Sequence, residues 1–422
     1  MPKTIIISAK KMLDDQDASD FFAFLTAQKA LGISYFVKAD SYTTPEGNTL
    51  SFEQDFLCED VVNGRFTGDF VGSKIGSGYF ATVYHIDKVV EITGIAFVPS
   101  GYTQPQVLKV QQHRADNSVA CLINEITISR KTPHIHPRNP VIDLNKISYT
   151  PMEKFPGREL FEIILEDIER EKILTLQQRM ELSVAVLEAV LTQVQQCGII
   201  HRDLKPENIR VLESPLTVNI IDYGLSIALP PGKLWVLDDK RCGSLDYMAP
   251  EMMKGDGHYY QTEAQDVFSV GRILQVIWGG CDETYNKPKN TASYRRERLV
   301  SLENNLFKSL PSKQWVELKR LSLSGRIKTV LQQMLDASWP NRISFKDARG
   351  EFKLMQCLLR HSPCAPSVHQ AGASTKSTVQ PAGWDPGFFT GRPADNDAAA
   401  APAAVYCFSI APDEQLYRTS SV

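Results

Sequence analysis

The 422-residue chain has no uninterrupted stretch of about 18 apolar residues, the length a helix needs to cross a bilayer, so no membrane span is expected. Its start, Met1-Pro2-Lys3-Thr4-Ile5-Ile6-Ile7, holds an apolar run too short for a signal-peptide core, and Sec-type export is not expected either. Eight cysteines are present, but no two are spaced C-x-x-C, which argues against a zinc ribbon or a redox pair. Scattered single thiols point to a reducing, cytoplasmic compartment. Charge of one sign is not in excess: 46 basic and 49 acidic side chains leave a net charge of −3. That balance argues against a nucleic-acid binder, which usually carries a strong basic surplus. No internal repeat is apparent. What is there is an ordinary globular composition, 43% hydrophobic and 23% charged.

The expected organisation is an N-terminal extension over residues 1–68, a catalytic domain over 69–357 and a low-complexity tail over 358–422. From about His361 onward Ala, Ser, Thr, Pro and Gly dominate, and the segment cannot bury enough apolar surface to offset its ordering entropy. In the extension, Phe21, Phe24 and Leu25 have helical spacing, with Ser19 or Asp20 as the cap. Phe70–Ile75, Thr82–Ile86 and Gln106–Val110 read as strands, and Ala120–Arg130 as a helix. A long helix is predicted over Leu176–Gln196, with a buried stripe at 182, 186, 187, 190, 191 and 194. Strands first and helices later suggest two lobes.

Four stretches stand out. Gly76-Ser77-Gly78-Tyr79-Phe80-Ala81-Thr82-Val83 places paired glycines at a strand turn, where backbone N–H groups can approach phosphate oxygens. Alone, such a glycine-bearing hairpin is a weak signal. His201-Arg202-Asp203-Leu204-Lys205-Pro206-Glu207-Asn208 is far more specific. Its carboxylate can accept the proton of an attacking hydroxyl, its lysine can neutralise a phosphoryl group, and its amide oxygen can ligate Mg²⁺. Asp222-Tyr223-Gly224 follows the apolar Val218-Asn219-Ile220-Ile221, and Gly243-Ser244-Leu245-Asp246-Tyr247-Met248-Ala249-Pro250-Glu251 comes next.

In this order the motifs resemble the eukaryotic-type serine/threonine protein kinase family over roughly residues 69–355. The resemblance implies an α+β bilobal fold, with a small β-rich N-lobe, a larger helical C-lobe and ATP between them. Carried over residue by residue, it makes Lys109 the strand lysine on the phosphates and Glu125 its helix partner. Asp203 becomes the catalytic base and Lys205 the phosphate-neutralising lysine. Asn208 and Asp222 become ligands of Mg²⁺ or Mn²⁺. Nucleotide contacts fall to Ile75, Gly76, Ser77, Gly78 and Val83, to the hinge residues Glu153 and Phe155 after the gatekeeper Met152, and to Glu159 at the ribose. Asp266 matches the aspartate supporting the catalytic loop, and Arg342 the arginine that pairs with Glu251. Lys205 and Ser244 resemble the serine/threonine branch, with protein substrates as partners.

Departures are mild. Ala81 replaces the third glycine, Tyr223 stands where phenylalanine is usual, Val107 roofs the adenine slot, and Asp87–Gln104 reads as an insertion. A pseudokinase-like scaffold, a small-molecule kinase and an adaptor are the rival readings. The complete catalytic set counts against the first, and the Gly243–Glu251 segment against the second. Glu207 and Glu159 hint at basic residues near the target. His134 and His136 read as loop histidines. Ser420-Ser421-Val422 has the form of a weak PDZ-type contact. Between Leu225 and Gly243 the only hydroxyl is Ser226, so the loop is expected to be held without phosphate by Arg202 with Asp238 or Asp239. A divergent kinase with such a tail fits a host-cell enzyme or a bacterial protein delivered into a host cell.

Overall fold

Eleven N-terminal strands run β1 (Thr4–Ile7), β2 (Phe36–Val37), β3 (Ser41–Thr43), β4 (Thr49–Phe52), β5 (Phe56–Val61), β6 (Arg65–Ser77), β7 (Ala81–Thr93), β8 (Ala96–Pro99), β9 (Gln106–Gln112), β10 (Val141–Ile142) and β11 (Ile147–Glu153). Helices α1 (Asp15–Ala30) and α2 (Val119–Ser129) are interleaved with them. The computed structural model describes residues 2–361 apart from 31–35, 45, 62–64, 78–80, 95, 114–118, 144, 239–240, 254–256 and 281–305.

The main N-lobe sheet has the order β10-β11-β9-β7-β6-β5-β2, with β8 added on β7. Strand β5 pairs antiparallel with β6 from Phe56↔Phe70 to Val61↔Arg65. The expected division between residues 68 and 69 therefore falls inside β6, and part of the extension is built into the lobe's own sheet. A second, three-stranded sheet, β1-β4-β3, lies on the N-terminal side. One apolar cluster joins the two parts: Ile5, Ile7, Phe21, Phe24 and Phe52 pack with Phe56, Phe66, Phe70, Ile92 and Phe97. Phe21, Phe24 and Leu25 are buried as their spacing predicts. The helix starts earlier than expected, however. Asp14, not Ser19 or Asp20, caps it, its Oδ1 accepting from the Asp17 N–H at 2.8 Å. Asp20 lies further along the helix and accepts from Asn48 Nδ2 at 2.9 Å. The stretch read as an insertion is instead the second half of β7 and its hairpin to β8.

The C-lobe comprises β12 (Arg158–Glu159), α3 (Leu160–Ile168), α4 (Leu176–Gln193), β13 (Ile199–Ile200), β14 (Ile209–Glu213), β15 (Leu216–Ile220), β16 (Ile227–Ala228), β17 (Trp235–Asp238), β18 (Tyr259–Thr262), α5 (Glu263–Ile277), α6 (Ser312–Arg320), α7 (Leu323–Met334) and α8 (Phe345–Arg360). Thr175 and Gln178 form a capping box at the start of α4. Leu182, Val186, Leu187, Val190, Leu191 and Val194 are all buried, the stripe that the period predicts. The helix ends at Gln193 rather than 196, where a short 3-10 turn leads to Gly198 at φ 65°. At the far end α8 continues to Arg360, with Leu359 still in the core, so the expected boundary at 357/358 cuts a helix. The tail from residue 362, with Ser420-Ser421-Val422, lies outside the described residues.

Candidate active site

The N-lobe contribution rests on strand register. Val83 on β7 faces Lys109 on β9 as a ladder partner. Lys109 Nζ donates to Glu125 Oε1 of α2 at 2.5 Å and lies 3.8 Å from Asp222 Oδ1. Burial pulls the Lys109 ammonium down, but the Glu125 and Asp222 carboxylates outweigh it and hold the group at about 12. It is therefore a fixed, largely buried positive charge beside the Glu125 and Asp222 carboxylates. Ile75, Gly76 and Ser77 form the exposed end of β6, where Ser77 Oγ meets Thr82 Oγ1 at 3.0 Å. Gly78 lies outside the described residues. On the hinge, Glu153 ends the β11–β9 ladder opposite Gln106, and Lys154 N–H donates to Pro105 O at 2.8 Å. Phe155 packs beside His134, ring centroids 5.5 Å apart. Glu159, in β12, is partly exposed and sits 3.8 Å from Arg210; burial raises its carboxyl.

The catalytic loop is pinned from beneath. Asp266, fully buried on α5, accepts the His201 N–H at 2.7 Å and the Arg202 N–H at 2.9 Å. These bonds hold Arg202 at φ 70°, a left-handed conformation that non-glycine residues adopt at a cost. Gly243 makes room on the other side. At φ 105°, any Cβ there would stand 2.3 Å from Arg202 O. The next residue, Ser244, can then donate its N–H to Asp203 Oδ1 at 2.7 Å. Lys205 Nζ donates to Asp203 Oδ2 at 2.9 Å and to Ser244 Oγ at 3.0 Å. Asp203, Lys205 and Ser244 thus form one hydrogen-bonded triangle. The Lys205 ammonium is lowered by burial but raised more by Asp203, and ends above its ordinary value.

Asn208 commits its amide nitrogen to Asp203 O at 2.8 Å, which leaves its carbonyl oxygen as the group for a cation. Asp222, at φ 64°, supplies the second hard oxygen. Burial pushes its carboxyl up, but Lys109, His201 and Lys205 pull harder and keep it below its ordinary value. It is therefore a carboxylate at neutral pH, the form in which it could ligate a cation. Among the described residues no cluster of three or more His, Cys, Asp or Glu gathers for a metal, here or elsewhere. The set of Asn208 and Asp222 fits a magnesium-like ion, which keeps several waters and phosphate oxygens in its shell.

Behind these groups lies a spine the motifs only partly announce. The Tyr223 ring is buried, and its hydroxyl donates to Gln193 O at 3.3 Å, so the departure from phenylalanine has a partner. His201 and His134 flank it, with centroids 4.9 and 6.4 Å away. His134, read from sequence as a loop histidine, is half-buried and bonds Ile220 O through Nε2 at 2.8 Å, linking the α2–β10 connection to the strand that delivers Asp222. Burial lowers its pKa. At the base of the lobe, Arg342 NH1 and NH2 donate to Glu251 Oε1 and Oε2, each at 2.6 Å.

A family profile described as Protein kinase domain matches residues 70–351, more than half of the chain. Among curated proteins, the chain is 27% identical over 270 residues to CBL-interacting serine/threonine-protein kinase 16 of Arabidopsis thaliana, covering 61% of this chain and 52% of that one. It is 26% identical to calcium-dependent protein kinase 7 of Oryza sativa subsp. japonica, covering 62% and 49%. It is 28% identical to serine/threonine-protein kinase grp of Drosophila melanogaster, covering 53% and 42%. The chain spans about half the length of these relatives. With the two-lobed fold, the ordered motifs and this match all in agreement, the chain belongs to the protein kinase family.

Proposed function

We propose that the chain transfers the γ-phosphoryl group of ATP to serine or threonine hydroxyls of protein substrates, with Mg²⁺ or Mn²⁺. The observation that carries the reading is the Asp203–Lys205–Ser244 triangle, set beside the cation-ready oxygens of Asn208 and Asp222. Bound ATP supplies the phosphoryl group, and the divalent ion offsets its charge. The chain's own groups do the rest. Asp203 accepts the hydroxyl proton through a carboxylate already fixed at both oxygens, which reduces the cost of orienting it. Lys205 and Lys109 are held cationic where phosphate charge lies. Gly76, Ser77, Gly78, Ile75 and Val83 cover the nucleotide, and Glu153, Phe155 and Glu159 flank its base and sugar.

Substrates in this reading are proteins rather than nucleic acid, in keeping with the net charge of −3. A reducing compartment suits the scattered single cysteines of the sequence, no two of which are spaced C-x-x-C. That compartment is the producing cell's cytoplasm, or a host's for a delivered bacterial protein. No helix among the described residues is long and apolar enough to cross a membrane. The catalytic unit takes in about residues 69–357, its sheet continued on the N-terminal side by β5 and its last helix running on to Arg360.

The test is a radiolabelled ATP assay with generic protein substrates. Asp203→Asn is expected to lower turnover by about 10²-fold or more, the usual scale for a general base. Wild-type rates in that variant would show that Asp203 is not the base. A wild-type protein that binds nucleotide yet transfers no phosphate would favour the scaffold reading.

A further inference from the structure

The ribbon formed by β17 and β18 exposes several large apolar side chains. It pairs Trp235↔Thr262, Val236↔Gln261, Leu237↔Tyr260 and Asp238↔Tyr259. Alternation sends one set of side chains inward and the other outward. The inward set includes polar groups with partners. Asp238 bonds Arg202 at 2.7 Å, and Gln261, fully buried, accepts from Gln265 at 3.0 Å. The outward set, apart from the buried Thr262 opposite Trp235, is apolar: Trp235 is 49% exposed, Leu237 51% and Tyr260 54%. Leu234, just before the strand, is 83% exposed. Trp235 and Tyr260 already contact each other edge to face, centroids 5.2 Å apart. They give the patch a preformed aromatic floor.

A half-buried strand normally turns its apolar side to the core, as Tyr259 does here, but the exposure of Trp235, Leu237 and Tyr260 is not explained by folding. It leaves a patch on the order of a few hundred Å², the size that marks an interaction site on a monomer. A stable dimer buries roughly 800 Å² per partner, which this ribbon alone falls short of. A peptide-sized, transient occupant fits better. Position says which one. The ribbon lies between Asp222 and Glu251 in the chain on one side, and its Asp238 is bonded to the residue next to Asp203. A segment bound on the ribbon is therefore held by an element that is itself bonded to the catalytic loop.

We propose that the Leu234–Trp235–Leu237–Tyr260 face docks an extended segment of the protein substrate that carries large apolar side chains. The inference rests on the kinase reading and adds a preference to it. Backbone extension in the substrate would set its apolar side chains two residues apart, matching Trp235 and Leu237.

A positional-scanning library of serine and threonine peptides, assayed with radiolabelled ATP, tests this. Wild type is expected to select Leu, Phe, Met or Trp at one or more fixed distances from the acceptor. For the best peptide, Leu237→Ser and Leu234→Ser are each expected to raise KM by about tenfold with kcat within about twofold, since each removes one apolar side chain from the docking face. Melting curves check folding, and Leu234, being the most exposed, is the safer of the two positions. No apolar selection by wild type, or an unchanged KM in both variants, overturns the docking proposal while leaving the kinase reading intact. If light scattering instead shows a wild-type dimer that the two substitutions dissolve, the face covers a second copy and the substrate assignment fails. A wild type that phosphorylates neither any library member nor itself overturns the kinase reading and this one together.

Discussion

Arg202 and Asp238 form a partly buried ion pair, NH1 to Oδ2 at 2.7 Å, that ties the catalytic loop to strand β17. The Arg202 side chain is only 8% exposed, and its Nε also donates to Leu225 O, so both ends of the segment after Asp222 converge on one guanidinium. Of the two aspartates expected from sequence, Asp238 is the one that makes the contact; Asp239 lies outside the described residues. A carboxylate thus occupies the position from which a phosphate could otherwise order the loop.

The first prediction follows from that pair. Phosphatase-treated enzyme, shown by mass spectrometry to carry no phosphate on residues 222–251, is expected to stay active. Asp238→Ala is expected to lose at least about tenfold in kcat/KM, because an arginine left without its partner costs more than about 1.4 kcal/mol. An inactive bare enzyme, or full activity in Asp238→Ala, contradicts it.

The second concerns Arg342. Its side chain is fully buried, bidentate to Glu251, and also donates to Ala264 O at 2.9 Å. Arg342→Met is expected to lower unfolding free energy by about 3–5 kcal/mol, the scale for stranding one member of a buried pair. The Arg342→Met/Glu251→Gln double variant should be less unstable than the two losses summed, since the stranded carboxylate is gone. Urea titrations of the four proteins check both statements.

The third is a pH dependence. Glu59 on β5 and fully buried Asp69 on β6 share Arg138, at 3.6 and 2.5 Å respectively. Burial raises the Glu59 carboxyl to about 7, against the pull of Arg138. An acid raised above its unfolded value of about 4.3 holds a proton in the native state that the unfolded chain has released. Stability is therefore expected to fall as pH rises from about 4.3 through 7, by up to about 3 kcal/mol from this residue. Glu59→Gln should show a flatter profile across that window. Urea midpoints measured at pH 5 and pH 8 for both proteins decide it.

The fourth concerns the metal. Asn208 and Asp222 are hard oxygen donors and suit Mg²⁺ or Mn²⁺ rather than zinc. Phosphoryl transfer is expected to stop in EDTA and return on adding Mg²⁺. Activity that persists without any divalent ion contradicts the assignment.

The catalytic loop was legible because its chemistry is local. Eight consecutive residues name the base, the lysine and the amide, and the fold only has to bend them together. The long helix α4 was legible for a related reason: its period alone selects the buried face. Long-range relations were not visible. Asp69 and Arg138 are 69 positions apart, and neither has a flanking motif. The pairing of β5 with β6 escaped notice because residues 36–61 form short strands whose partners are chosen by register across the sheet. The same is true of Leu237 opposite Tyr260. His134 gave no signal, since a histidine's role is set by what it packs against, here Tyr223 and Phe155.

The shared cluster from Ile5 to Phe97 has a consequence for synthesis on the ribosome. The first sixty residues emerge with Phe21, Phe24, Phe52 and Phe56 and no other half to pack against. Their partners Phe66, Phe70, Ile92 and Phe97 come later, so the nascent chain carries unsatisfied aromatic surface until β8 is out. Over that interval its free β5 edge is open to pairing with neighbouring chains. Slow translation through residues 60–97 would lengthen the exposure, and chaperone demand should peak there rather than over the catalytic loop.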